Sequence, residues 1–250
     1  MLTKNKIKFI QSLVEKKSRK ENGLFVVEGE KMATEVLFSD LKVTEVYAVA
    51  DWFEDNELFE FYGLKEIVSE DELKKISQLI TPNKVLLIVK IPEYKMELKN
   101  ILNNFVLGLD NLQDPGNLGA IIRTADWFGI KDIFCSSNSV DAYNPKVVSA
   151  TMGAVARVRV HYVDLPELVN KIKKQDKNYP VYGAMMDGKS VYEEKFLDKG
   201  IIIFGNESQG ISAETEKIID QKITIPRAKN SQAESLNVAM AVGVVCSCVS

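Results

Sequence analysis

The chain has 250 residues, 46% hydrophobic and 27% charged, with a formal net charge of −3, the balance of an ordinary globular protein of one or two domains. Cys135, Cys246 and Cys248 make no even disulfide set and have no zinc-ligand spacing. His161 is the only histidine, which argues against a Ser-His catalytic pair and against a metal site, so no metal is expected.

The first 20 residues hold seven cations and one acid, leaving −9 on the remainder. Such a start suits either a solvated helix face or a polyanionic partner. It lacks the long apolar core of a secretory signal. The most apolar stretch, Val238 to Val249, falls short of the roughly 20 residues a bilayer requires. The expectation is a cytoplasmic protein in a reducing compartment.

In chain order, a basic helix is expected from about Lys4 to Lys17, with Ile7, Ile10, Leu13 and Val14 on one face. A strand at Leu24 to Val27, a helix at Lys31 to Phe38, and strands at Glu45 to Val49, near Glu66 to Val68 and at Val85 to Val89 complete a small α/β unit, residues 1–90. Ile91 to Asn100, with Pro92 and several charges, reads as a linker, and a second domain spans 101–250. Its strands are expected at Phe105–Leu109, Asp132–Cys135, Val158–His161, Pro180–Ala184, Ile201–Phe204 and Lys222–Ile225. Runs apolar along their whole length, such as Ile201 to Phe204, fit a parallel sheet covered on both faces.

Three polar loops follow strands of this half, where open parallel sheets bind ligands. The first runs from Asn111 to Ala125. Asp114-Pro115-Gly116 supplies a turn, Asn117 is placed to cap a helix from about Leu118, and Arg123 lies almost two turns in. The second is Gly205-Asn206-Glu207-Ser208-Gln209-Gly210, in which Gly205 permits close backbone approach and Glu207 offers a carboxylate. The third combines Ile225-Pro226 with Ser235-Leu236-Asn237, where Ser235 or Asn237 also suits a helix cap. No dinucleotide fingerprint or phosphate loop competes with them.

In this order and spacing the three loops resemble the signature motifs of the SpoU (TrmH-like) family of RNA 2′-O-ribose methyltransferases, within the SPOUT superfamily. Asp114-Pro-Gly-Asn117-Leu-Gly119 with Arg123-Thr-Ala125 matches the first motif. Gly205-Asn-Glu207-Ser-Gln-Gly210 matches the second, and Ile225-Pro226 with Ser235-Leu-Asn237-Val the third. Lys16-Lys-Ser-Arg19-Lys-Glu-Asn-Gly-Leu-Phe25-Val-Val-Glu28-Gly29 resembles, more weakly, the opening of the substrate-binding domain often fused to that family.

The resemblance implies an α/β fold: a C-terminal Rossmann-like parallel sheet with a deep trefoil knot, plus a small N-terminal α/β domain like ribosomal protein L30e. It implies S-adenosylmethionine as cofactor, held around Gly205, Asn206, Ile225, Pro226 and Leu236. Arg123, Asn117, Glu207, Ser235 and Asn237 become the candidate catalytic set. Lys16, Lys17, Arg19, Lys20 and Arg123 become candidate RNA contacts. A homodimer is implied, with Val238–Val249 either its interface or packed within its own domain. The substrate implied is ribosomal RNA of the 23S type, with guanosine favoured; tRNA modification, a thiostrepton-resistance-type enzyme and a non-catalytic RNA-binding assembly factor are the alternatives. Two departures stand out: the loop Arg227–Glu234 is longer than is usual in the family and lacks the glycine common there.

Overall fold

A computed structural model describes residues 1–56, 61 and 63–249. The chain divides into two compact units, one of Met1–Glu93 with Asp141–Arg157, the other of Tyr94–Val140 with Val158–Ser250. The linear partition expected from composition keeps 141–157 with the second half; the structure sets this segment in the first unit. The physical reason is that Tyr143, Val148 and Val155 join that unit's hydrophobic core.

In the first unit, helices α1 (Lys4–Ser12) and α2 (Lys16–Asn22) lead into β1 (Leu24–Glu28), α3 (Glu30–Leu37), β2 (Val43–Ala48), α4 (Ala50–Asp55), β3 (Leu64–Ile67), α5 (Glu70–Ile76) and β4 (Val85–Lys90). The sheet order is β1-β4-β2-β3, with β4 antiparallel to both neighbours and β3 parallel to β2. Successive strand side chains point to opposite faces, and the cores follow that rule. Val85, Leu87 and Val89 join Phe25 and Val27 on the face carrying Met32, Ala33 and Val36 of α3. Leu86 and Ile88 join Val26 on the face carrying Ile10 of α1 and Leu73 and Ile76 of α5. A capping box starts α5: Ser69 Oγ accepts from Glu72 N at 3.3 Å, and Glu72 Oε2 accepts from Ser69 N at 3.1 Å.

The single basic helix expected over Lys4 to Lys17 is two helices. Arg19 explains the break. It is 2% exposed, and its Nη1 donates to the carbonyls of Leu13 (2.9 Å) and Val14 (2.6 Å), groups freed at the end of α1. Its Nε and Nη2 donate to Asp141 Oδ2 at 2.9 and 2.5 Å. Assignment of Arg19 to RNA contact is therefore corrected: its donors are turned inward, and it holds α1, α2 and the 141–157 segment together.

The second unit contains α6 (Leu98–Leu102), β5 (Phe105–Leu109), α7 (Pro115–Trp127), β6 (Asp132–Ser136), β7 (Arg159–Val163), α9 (Leu165–Gln175), β8 (Val181–Ser190), β9 (Gly200–Phe204), α10 (Ala213–Glu216), β10 (Gln221–Thr224) and α11 (Val238–Val249); α8 (Pro145–Thr151) belongs to the first. Residues expected in the linker thus begin α6. All six strands pair in parallel, in the order β10-β8-β9-β5-β6-β7. Central β9 is buried at every position, as its unbroken apolar run requires. One face of the sheet packs Val106, Phe134, Val181, Ile201 and Ile203 against Ile101 of α6 and Leu168, Val169 and Ile172 of α9. Helices α7 and α11 pack on each other. From β5 the chain steps outward to β6 and β7, then crosses to β8 on the other flank and comes back inward to β9 beside β5. That reversal opens a crevice at the carboxyl ends of β5 and β9, where ligands bind in this architecture.

Candidate functional site

The crevice is assembled from short polar segments that follow apolar strands. After β5, Asp110 is buried; its Oδ2 accepts from Ser212 N at 2.8 Å, tying β5 to the segment that follows β9. Asn111 adopts φ +56°, a left-handed conformation that asparagine tolerates better than most residues. Its N–H donates to Ser136 Oγ at 2.8 Å and its carbonyl accepts from Asn206 Nδ2 at 2.8 Å.

Helix α7 begins at Pro115, earlier than expected, and Asp114 is its cap, with Oδ1 accepting from Asn117 N at 2.7 Å. Proline at the first helical position forfeits no hydrogen bond, because that N–H lies outside the helical ladder. Asn117 is consequently not the cap, and its side chain is free for the crevice. Asn117 Nδ2 donates to Glu207 Oε1 at 2.8 Å, and Asn117 Oδ1 accepts from Asn237 Nδ2 at 2.9 Å. These partners lie 90 and 120 residues downstream. Asn237 also caps α11, its Oδ1 accepting from Ala239 N (3.0 Å) and Met240 N (3.3 Å). Either ending of the third motif suited a cap; Asn237 takes the role and joins the site as well.

The loop after β9 closes on itself. Asn206 and Gly210 exchange backbone hydrogen bonds, both 2.9 Å, and Asn206 Oδ1 accepts from Ser208 N and Gln209 N. A Cβ on Gly205 would sit 2.1 Å from Gly210 C and 2.2 Å from Ile211 N, so only glycine fits. With its carbonyl, N–H and side-chain oxygen all engaged within the loop, and its Nδ2 donating to Asn111 O, Asn206 serves as a tie between loops.

The other candidates stand on the rim. Ile225 lies just past β10 and is half-buried, while Pro226, Ser235 and Leu236 are exposed. The loop between them bends back through Arg227 Nη1, which donates to Ala233 O at 2.9 Å. Arg123 is exposed on α7 and makes no hydrogen bond or ion pair among the described residues. Its distance along the helix from Asn117, six residues, is about 9 Å. The structure thus brings Asn117, Glu207 and Asn237 into one hydrogen-bonded row and leaves Arg123 and Ser235 outside it. Lys16, Lys17 and Lys20 are exposed on α2 in the first unit.

Cys135 and Cys246 are not reactive groups: burial pushes the Cys135 thiol up to about 12, and burial together with Cys248 does the same to Cys246. His161 sits on edge strand β7, stacked on Phe134 and 2.8 Å from Asp132 Oδ1, and takes no part in the crevice loops. Among the described residues no three His, Cys, Asp or Glu side chains gather as a metal site, and no helix is long and apolar enough to cross a membrane. Sequence reading missed Asp110, Asn111 and Ser136 as supports. Two polar residues directly after a buried strand were the available signal for the first two; Ser136 carried none.

Compared with known proteins, residues 104–247 match the family model of the SpoU rRNA methylases. The chain belongs to the SpoU rRNA methylase family. Residues 4–87 match the model of an MRM3-like substrate-binding domain. Among its relatives, the Bacillus subtilis 23S rRNA (guanosine(2553)-2′-O)-methyltransferase RlmP is 30% identical over 96% of this chain and 94% of its own length. Human mitochondrial rRNA methyltransferase 3 is 29% identical over 57% of this chain and 36% of its own. A TrmH-family protein from Porphyromonas gingivalis superposes with a TM-score of 0.89 at 35% identity, covering 100% of this chain and 98% of that one. The S-adenosylmethionine-bound rRNA methyltransferase of Sinorhizobium meliloti gives 0.85 at 26% identity, covering 100% and 95%. For this SpoU protein, the matched residues 104–247 include all three crevice loops.

Proposed function

We propose that this chain methylates a ribose 2′-hydroxyl in ribosomal RNA of the 23S type, at a guanosine, with S-adenosylmethionine as donor. The observation that carries the reading is the Glu207–Asn117–Asn237 row. A carboxylate and two amides from three distant segments, fixed at hydrogen-bond distance, make a rigid polar surface at the switch point of a parallel sheet. The named activity of the Bacillus relative supports the guanosine and the RNA class.

The crevice fits the cofactor in kind. Ile225 and the exposed Leu236 offer apolar surface, and the Gly205–Gly210 loop and Ile225-Pro226 offer main chain. Bound there, S-adenosylmethionine supplies an activated methyl group and its own leaving group. The protein's part is to hold the hydroxyl in line and to ease loss of its proton. Asn117, its amide orientation fixed at both ends, positions the ribose. Glu207 fixes Asn117 rather than meeting substrate directly. Ser235 and Asn237 shape the pocket.

Arg123, unengaged internally, binds the RNA phosphate and stabilises the developing alkoxide. A guanidinium with a pKa of roughly 12.5 or above is a poor base, so the proton leaves through phosphate or water. Completion of the site by a second copy, as a homodimer, is supported by exposed Leu236, just before α11, and exposed Met240 in its first turn. A trefoil knot in the second unit is supported by the path from edge strand β10 back to α7, and an L30e-like reading of the first by its α/β layers. Exposed Lys16, Lys17 and Lys20 serve as the electrostatic footing for RNA in a cytoplasmic enzyme.

The test is transfer of labelled methyl from S-adenosylmethionine to total RNA from a strain lacking the chain, followed by mapping of 2′-O-methyl positions. Label is expected in large-subunit ribosomal RNA and not with Arg123→Ala, which still binds cofactor. RNA binding without any label would instead establish an assembly factor.

A further inference from the structure

Gln113 stands one residue ahead of the α7 cap, is exposed, and has no part in the reaction as drawn. Its Nε2 donates to two main-chain carbonyls, Asn138 O at 2.8 Å and Asn111 O at 3.3 Å. Two acceptors around one terminal atom identify that atom as the amide nitrogen, so the side chain has a single orientation. Both amide hydrogens are used there, and Oε1 has no partner among the described residues. The anchor is stiff. Leu112 N donates to Ser139 Oγ at 3.2 Å and Val140 N to Leu112 O at 2.8 Å, which fastens the elbow to the loop after β6. Gln113 is thus a fixed acceptor on the crevice rim, with no donor left on the same side chain.

Sheet order sets this acceptor beside the ribose. Neighbouring strands lie about 4.8 Å apart. The carboxyl edge runs from the loops after β10 and β9, through Asn117 after β5, to Asn138 after β6. Gln113 lies four residues before Asn117, at most about 14 Å of chain, and the Asp114 cap folds that span into a turn. A ribose on Asn117 with its 2′-hydroxyl towards the cofactor loops lays its base over the β5–β6 rim. The packed face between α7 and α11 plays no part in this.

We propose that Gln113 selects guanine, its Oε1 accepting from N1–H and the N2 amine of the target base. This rests on the assignment of the target ribose to Asn117. Guanine alone among the four bases sets two donors side by side on its Watson–Crick edge. Adenine and cytosine present a ring-nitrogen acceptor there, and uracil flanks its one donor with two acceptors. An acceptor without a donor beside it attracts the first and repels the others. That edge is open only in an unpaired nucleotide, so the target is read in a loop or out of its stack.

Kethoxal, which modifies guanine across N1 and N2, reports on the contact without requiring methyl transfer. On ribosomal RNA from a strain lacking the chain, wild-type protein should protect one guanosine, the one that is methylated. Gln113→Met, which keeps the side chain's length and loses its amide, should still bind this RNA and leave that guanosine reactive. On a synthetic RNA spanning the site, wild type should favour guanosine over adenosine at the target by about 5- to 150-fold in kcat/KM. Gln113→Met should bring that ratio close to one, whereas a residue that only braced the elbow would slow both RNAs alike. The adenosine RNA tests the contact without altering the protein. Equal wild-type rates on the two RNAs, or no protected guanosine, overturn the proposal. So does a protection or preference that survives in Gln113→Met. Gln113-dependent protection without methyl transfer leaves it standing while the catalytic reading falls.

Discussion

At the scale of single residues, the side chain of Asn117 has one orientation. Its nitrogen faces the Glu207 carboxylate and its oxygen faces the Asn237 amide. Asn117→Ala removes both hydrogen bonds and frees two loops at once. Loss of one well-placed polar group at a transition state costs about 100- to 1,000-fold in kcat, and the same range is expected here, read in single-turnover methylation. Asn117→Asp should be no better, because it sets a second carboxylate against Glu207. Asp132 makes a different prediction. Burial raises its pKa, but hydrogen bonds from His161, at 2.8 Å, and from Arg159, at 2.8 and 2.6 Å, outweigh that and hold it below the ordinary value. A depressed carboxyl contributes stability above its unfolded pKa and loses it as pH falls through the folded one. Urea unfolding should therefore show wild type losing stability below about pH 3.9. Asp132→Asn should be less stable at neutral pH and should show a shallower acid limb.

At the scale of elements, Gly205 decides whether the loop after β9 closes. The clash of a Cβ there is with main chain, which cannot swing away as a side-chain tip would. Gly205→Ala is expected to abolish measurable cofactor binding by calorimetry while the first unit's unfolding is unchanged. The strands are legible in the sequence because their signal is local: Phe105–Leu109, Ile201–Phe204 and Val85–Val89 are short apolar runs between turns, and all three are strands. Helix α5 is marked just as locally, by Ser69 and Glu72, but it is short and sits between strands whose apolar runs are the stronger pattern. The split of the first helix is not legible, because its cause is Arg19, whose carboxylate is 122 residues away. Within the site, the motif residues are readable but the start of α7 is not, since Asp114 and Asn117 are both good caps and only the fold shows which is used. The supporting ties of Asp110 and Asn206 depend on which strands lie side by side, and no spacing in the sequence encodes that.

At the scale of the whole molecule, the uneven charge has a measurable consequence. Lys16, Lys17 and Lys20 are exposed on α2, whereas Arg19 in the same helix is withdrawn. Replacing the three lysines with glutamate should weaken RNA binding at low salt. It should also flatten the salt dependence by about 0.7–0.9 log units per log of salt for each phosphate that is no longer neutralised. Arg123→Ala, by contrast, should release one phosphate at most. Filter binding across a salt series separates the two.

The pairing of Arg19 with Asp141 also governs how the polypeptide matures. As the ribosome extrudes the chain, the guanidinium emerges 122 residues ahead of its counterion, and β5 and β6 must be synthesised in between. The amino-terminal body therefore remains unfinished until part of the other sheet has been made, and its assembly waits on sequence that belongs, by length, to the second half. Excising residues 1–93 as a module would strand a cation in the interior and remove Tyr143, Val148 and Val155 from the core that encloses that unit.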